Sequence, residues 1–274
     1  MDFKRKINDL KHFQNRDIMA LVTGASSGMG VLYAERLAEA GCNLLIVSNQ
    51  ENELNEVATK ISGKFGVNVT VRFQDLADEN AAQRLYDFCE NEGLIIDILI
   101  NNAGMFYFEE MTSENDRKTE TMLGLHVFTM TKMCRLFGDA MKERRFGYIL
   151  NVSSLAAVTP FPGIAMYSAT KSYIRTFTKA LHFEMKYYGV GATVVCPAAI
   201  ATPLYNLSDN LMKVGLAIGV VRSPEWLVRR ALRGMFNRRC IMRPAFQNIY
   251  GPVGMFLLPN FLKSFIWRKI KTKQ

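Results

Sequence analysis

Three glycines in eight residues, Thr23-Gly24-Ala25-Ser26-Ser27-Gly28-Met29-Gly30, stand between a short apolar run, Ile18–Val22, and an amphipathic one that opens at Gly28. Glycine admits left-handed backbone and lets another group come close to the main chain. A helix opening at Gly28 presents free N–H groups and the positive end of its dipole. Strand, glycine turn and helix N-terminus together make an anion cradle, and they favour folds in which strands and helices alternate. The rest of the chain obeys. Further strands are predicted at Asn43–Val47, Val67–Phe73, Ile96–Ile100, Tyr148–Val152, Ala192–Cys196 and Cys240–Arg243. Helices are predicted over Gly28–Ala40, Glu51–Ser62, Glu79–Asn91, Glu114–Arg144, Ala165–Tyr188 and Pro224–Asn237. Short strands rich in Val, Ile and Leu are those of a parallel sheet covered on both faces. The expectation is an α/β fold, a doubly wound parallel sheet of about seven strands, with ligands bound beyond the strands' carboxyl ends.

A length of 274 residues suits one large α/β domain, and 49% hydrophobic with 22% charged residues supplies a core. The net charge of +9 suits phosphorylated ligands or anionic lipid. The core has no nucleic-acid motif and no basic patch interleaved with aromatics, so nucleic acid is not an expected partner. Cys42, Cys89, Cys134, Cys196 and Cys240 form no C-x-x-C pair, as expected of free thiols in a reducing, cytoplasmic setting. His12, His126 and His182 lack metal-ligand spacing, so no metal is expected. Residues 1–17 are polar and basic without an apolar stretch, an N-terminal extension rather than a signal peptide. No run of 18 apolar residues suggests a spanning helix.

The chemistry gathers at the predicted strand ends. Asp75-Leu76 follows the third strand, Asn101-Asn102-Ala103-Gly104 the fourth, Ser153-Ser154 the fifth and Pro197 the sixth. Thirteen residues after Ser154 comes Tyr167-Ser-Ala-Thr-Lys171. A tyrosine and a lysine four apart share one helix face. A free phenol is a poor acid or base at neutral pH, and a nearby ammonium favours its ionised form. Tyr167 is thereby a candidate general acid–base, with Ser154 holding a substrate oxygen by a hydrogen bond. Ser153 should point to the opposite side of the strand end.

With these motifs in this order, the chain resembles the classical short-chain dehydrogenase/reductase family from about Ile18 to Phe246. The resemblance implies a single-domain Rossmann fold over 18–246. It implies a cofactor loop of Gly24, Ser26, Ser27, Gly28, Met29 and Gly30, with Ser48 and Asn49 at the adenosine ribose and Asp75 and Leu76 at the adenine. Asn101, Ala103 and Gly104 would flank the cofactor, Pro197, Ile200 and Thr202 would grip the nicotinamide carboxamide, and Tyr167 and Lys171 would touch it, Lys171 at the ribose hydroxyls. Ser154, Tyr167 and Lys171 would carry out NAD(P)-dependent hydride exchange with a carbonyl or alcohol. Homodimers or homotetramers are common in the family.

Several positions depart from the family pattern. His126 stands where the family has a catalytic Asn, and its imidazole could serve a similar hydrogen-bonding role. Pro197-Ala198 replaces the usual Pro-Gly. Ser48-Asn49-Gln50 carries no acid after the second strand, which favours NADP over NAD. Residues 200–221, rich in Leu204, Tyr205, Leu207, Leu211 and Met212, read as a lid for a hydrophobic ketone or secondary alcohol, steroid-like or 3-oxoacyl. Residues 247–274 form an amphipathic, basic tail suited to peripheral contact with an anionic bilayer, or to covering the cleft or a dimer contact. The tail resembles the branch of 17β-hydroxysteroid and 3-oxoacyl-thioester reductases. The alternative function is a nucleotide-binding or regulatory protein of the same fold with impaired turnover, for which His126 is the supporting feature.

Overall fold

The computed structural model describes residues 2–197 and 223–243, together with Ser264 and Arg268. The expected lid, Ile200, Thr202, Ala198 and, apart from those two residues, the tail lie outside the described residues.

Among the described residues one parallel sheet has seven strands: β1 Met19–Thr23, β2 Asn43–Ser48, β3 Val69–Phe73, β4 Ile96–Asn101, β5 Gly147–Val152, β6 Val190–Val195 and β7 Ile241–Met242. Their order is β3-β2-β1-β4-β5-β6-β7. The order reverses between β1 and β4, so the crevice beyond their carboxyl ends is the place where such a sheet binds a ligand.

Strand alternation sorts the core into two layers. Ala20 and Val22 of β1 and Leu44 and Ile46 of β2 face one way. They meet α2 (Gly28–Glu39), α3 (Glu51–Phe65) and α8 (Pro224–Phe236) through residues such as Tyr33, Leu37, Leu54 and Leu232. Leu21, Leu45 and Val47 face the other way. They meet α4 (Ala81–Asn91), α6 (Met130–Glu143) and α7 (Ala165–Lys186) through Leu85, Phe137 and Ile174.

Two elements differ from expectation. Residues 1–17 are not a bare extension: Phe3–Gln14 form α1, capped by Asp2, whose carboxylate accepts the N–H groups of Lys4 and Arg5. Ile7 and Leu10, one turn apart, enter the core, and Phe3 lies 6.0 Å from Phe236 between ring centroids. Arg16 then grips the buried Asp97 with both guanidinium nitrogens, at 2.7 and 2.6 Å. With two buried apolar residues in twelve, α1 shows too faint a stripe to stand out in the sequence.

The helix expected over Glu114–Arg144 is present as a continuous helical stretch, but its hydrogen bonding changes partway. A 3₁₀ turn, Ser113–Asn115, leads into α5 (Asp116–Leu123), and a π-turn, Gly124–Thr129, joins α5 to α6. Gly124 passes so close to Ala77 that a Cβ there would lie 2.9 Å from the Ala77 carbonyl oxygen. Apolar periodicity runs on through the π-turn, which is why the pattern reads as one helix.

Candidate active site

A cleft of about 700 Å³ follows the carboxyl ends of the strands from the first turn of α3 to the start of α7. At its centre is the glycine turn. Gly24 has φ +64° and Gly28 φ +55°, backbone that other residues adopt only under strain. Gly30 packs under the turn, where a Cβ would overlap the Gly24 carbonyl. The amides of Gly24 and Ala25 donate to Val47 O at 2.8 and 3.3 Å, and Ser27 is the N-cap of α2. Thr23 Oγ1 accepts the amides of Asn102 and Ala103 at 3.0 Å each, while Asn102 Nδ2 donates to the carbonyls of Thr23 and Gly24. Asn102 thus fastens the turn after β4 to the glycine turn, a role its position in the motif does not advertise.

Gly24, Ser26, Ser27, Gly28, Met29, Ser48, Asn49, Asp75, Leu76, Ala103, Gly104, Tyr167, Lys171 and Pro197 all line the cleft. Asn101 does not. It is buried beneath, donating to Asn151 Oδ1 at 2.8 Å and so tying β4 to β5. At the α3 end Ser26 and Ser48 hydroxyls lie 2.8 Å apart, and Asn49 Nδ2 donates to Asp75 at 3.2 Å. Gln50 and Glu53 line the same end. Glu53 is an acid that inspection of residues 48–50 alone passes over.

At the other end Lys171 and Tyr167 come together. Lys171 Nζ is 5.6 Å from the centroid of the Tyr167 ring and donates to Val152 O at 3.0 Å. Both residues are buried. Burial lowers the Lys171 pKa from its usual 10.5 to about 8. The rings of Phe106 and Tyr167 meet edge to face, centroids 4.9 Å apart, and Met105, half-buried, lines the cleft beside them. Neither contact could be inferred from motif spacing.

Of the two serines, Ser153 lines the cleft but turns its hydroxyl into α7, donating to Lys171 O at 2.7 Å. Ser154, buried at the head of a short 3₁₀ turn and not in the cleft lining, accepts the Ala156 amide at 3.1 Å, which leaves its O–H to donate elsewhere. His126 lies in the π-turn, behind the cleft rather than in its lining. Its Nε2 accepts the Met105 amide at 3.0 Å, and Nδ1 is 3.0 Å from Thr170 Oγ1. Burial first, then the ammonium of Lys171, hold the His126 pKa well below 6.5, so the ring is neutral.

The family model described as short chain dehydrogenase matches residues 18–210. The very-long-chain 3-oxoacyl-CoA reductase of Mus musculus is 34% identical over 211 residues, 74% of this chain and 66% of that protein. The 17-beta-hydroxysteroid dehydrogenase type 3 of the same organism is 34% identical over 197 residues, 70% of this chain and 63% of that protein. The chain therefore spans just under two thirds of the length of these relatives. Among solved structures, a short-chain dehydrogenase from Sphingobium yanoikuyae in complex with NADPH superposes with a TM-score of 0.75 at 26% identity, covering 86% of this chain and 92% of that one.

Proposed function

The chain belongs to the short-chain dehydrogenase family, and from that premise we propose that it is an NADP-dependent oxidoreductase exchanging hydride with a bulky, apolar ketone or secondary alcohol. The observation that carries the reading is the meeting of Tyr167 and Lys171 at one end of a cleft whose other end is a glycine turn. The cleft suits a nicotinamide dinucleotide. The left-handed Gly24 and the filled space under Gly30 leave backbone, not side chain, facing the groove. The hydroxyls of Ser26 and Ser48 share one hydrogen between them, so one O–H remains to donate to a 2′-phosphate or a ribose hydroxyl. The related structure holding NADPH supports the phosphorylated cofactor.

A nicotinamide dinucleotide bound here supplies or accepts the hydride. In the reductive direction Ser154 donates its free O–H to the substrate oxygen, and Tyr167 protonates that oxygen as negative charge develops on it. The Lys171 ammonium stabilises the phenolate that Tyr167 leaves behind. Phe106 against Tyr167, with Met105 in the cleft lining, favours an apolar substrate, in keeping with the acyl and steroid names of the relatives. Exposed Phe128, Tyr173 and Phe183 in the π-turn and α7 support self-association as a homodimer or homotetramer.

NADPH consumption with a panel of 3-oxoacyl thioesters and oxosteroids tests the reading, with Tyr167→Phe run beside the wild type. The wild type should turn over at least one class, and the variant should lose about 10²-fold or more in kcat. If both proteins were equally inert with every carbonyl, the proposal would fall.

A further inference from the structure

His126 joins three segments that are far apart in sequence. Its ring sits in the π-turn, is almost wholly buried, and has a partner at each nitrogen: the Met105 amide from the turn after β4 and Thr170 Oγ1 from α7. Thr170 Oγ1 in turn lies 3.0 Å from the Tyr167 carbonyl oxygen, to which it donates.

A single arrangement of protons satisfies all three bonds. A backbone N–H only donates, so Nε2 must be bare to receive Met105. The neutral ring then carries its hydrogen on Nδ1 and donates it to Thr170, whose own hydroxyl hydrogen goes to the Tyr167 carbonyl. The other tautomer would set two N–H groups against each other at 3.0 Å. Protonating the ring would do the same and would add a positive charge beside Lys171, the charged group that faces it. The Met105 amide matters because of what precedes it. A Cβ on Gly104 would lie 3.0 Å from His126 Nε2 and 3.5 Å from Lys171 Nζ, so this stretch of backbone is wedged between imidazole and ammonium. Phe106, the next residue but one, abuts the Tyr167 ring.

We propose that Thr170 is a positioning residue: the Met105 amide sets the tautomer of His126, and Thr170, by accepting the buried Nδ1–H, holds the ring in the orientation in which Nε2 keeps the 104–106 backbone against Tyr167 and Lys171. His126 is then a neutral post and not a carrier of protons. The functional part of the inference rests on reading this cleft as a hydride-transfer site; the tautomer does not.

The test is 15N spectroscopy of the histidine-labelled full chain, with the His126 signals assigned by their loss in His126→Asn. The wild type should show Nδ1 protonated and Nε2 bare, with no titration between pH about 5 and 8. Thr170→Val should shift the Nδ1 resonance away from its wild-type position, its N–H now without a partner, and its kcat at saturating NADPH should fall on the order of ten- to a hundredfold. Thr170→Ser should restore both. An Nε2–H ring or an imidazolium in the wild type overturns the inference, as does Thr170→Val with a native spectrum or native kcat. If Thr170→Val fails to fold, the wild-type spectrum and the Thr170→Ser pair decide. A wild type that shows the tautomer yet reduces no carbonyl overturns the proposed function and the positioning role, and leaves the tautomer lock standing.

Discussion

Lys171 is a buried ammonium held by a carbonyl oxygen and next to an aromatic ring. Moving its pKa from 10.5 to about 8 corresponds to roughly 3 kcal/mol held against the folded state at pH 7. Between pH about 8 and 10.5 the unfolded chain keeps a proton that the folded chain has lost, so this group's penalty is full below 8 and disappears as the pH rises through that window. Lys171→Met removes the penalty and forfeits a hydrogen bond worth about 1 kcal/mol. The variant should therefore lose turnover while its thermal midpoint stays level or rises, which calorimetry beside an activity assay will show. Carbonyl reduction by the wild type should slow as the pH rises through about 8, where the ammonium loses its proton; a flat kcat/KM profile to pH 10 would contradict this role. Tyr167 and Lys171 were legible because helical spacing puts them on one face and because Ser154 and the glycine turn accompany them in the sequence. Met105 and Thr170 were not, because their bonds to His126 cross 21 and 44 residues of sequence and no periodicity reports them.

The strand–turn–helix unit around Gly24–Gly30 was readable almost to the residue, because its chemistry is local. Glycine is required by left-handed backbone at 24 and 28 and by lack of space at 30. Gly30→Ala should press a methyl group into the Gly24 carbonyl and displace the turn, costing about 1–3 kcal/mol of stability. We expect NADPH affinity to fall by about ten- to a hundredfold, measured by fluorescence titration on the folded variant. Strands β1, β2, β4 and β5 were equally plain, being short, apolar and bounded by turn residues. What the pattern concealed was the π-turn inside the expected helix from Glu114, because a π-turn alters hydrogen bonding without interrupting the apolar stripe.

At the scale of the whole molecule, the two ends of the sheet have separate tasks. The cleft lies at the carboxyl ends. At the amino ends α1 packs on Phe236 and, through Phe13, on Phe146, while Arg16 holds Asp97 at the foot of β4. Stability and binding should therefore separate. Ile7→Asp places an unpaired charge at a fully buried position and should cost about 3–5 kcal/mol in urea unfolding. The molecules that remain folded should bind NADPH with unchanged affinity. Loss of affinity in step with stability would mean that the two ends are coupled. The order of the layers was legible from strand–helix alternation; the part played by residues 1–17 was not, because a helix with two buried side chains declares itself only against the surface it covers.

The π-turn also keeps a phase. It accommodates one residue more than an α-turn, and each residue advances a helix by about 100°. Met133, Cys134, Phe137 and Met141 are sunk in the core, so α6 is not free to rotate. Because the π-turn absorbs its extra residue, excising one residue between 124 and 129 would leave α5 and α6 close to their present phase but would re-aim the side chains inside the turn, drawing His126 off Met105. The irregularity is thus a length of chain counted out to aim one ring, and a single-residue deletion there should be more damaging than many substitutions at the same positions.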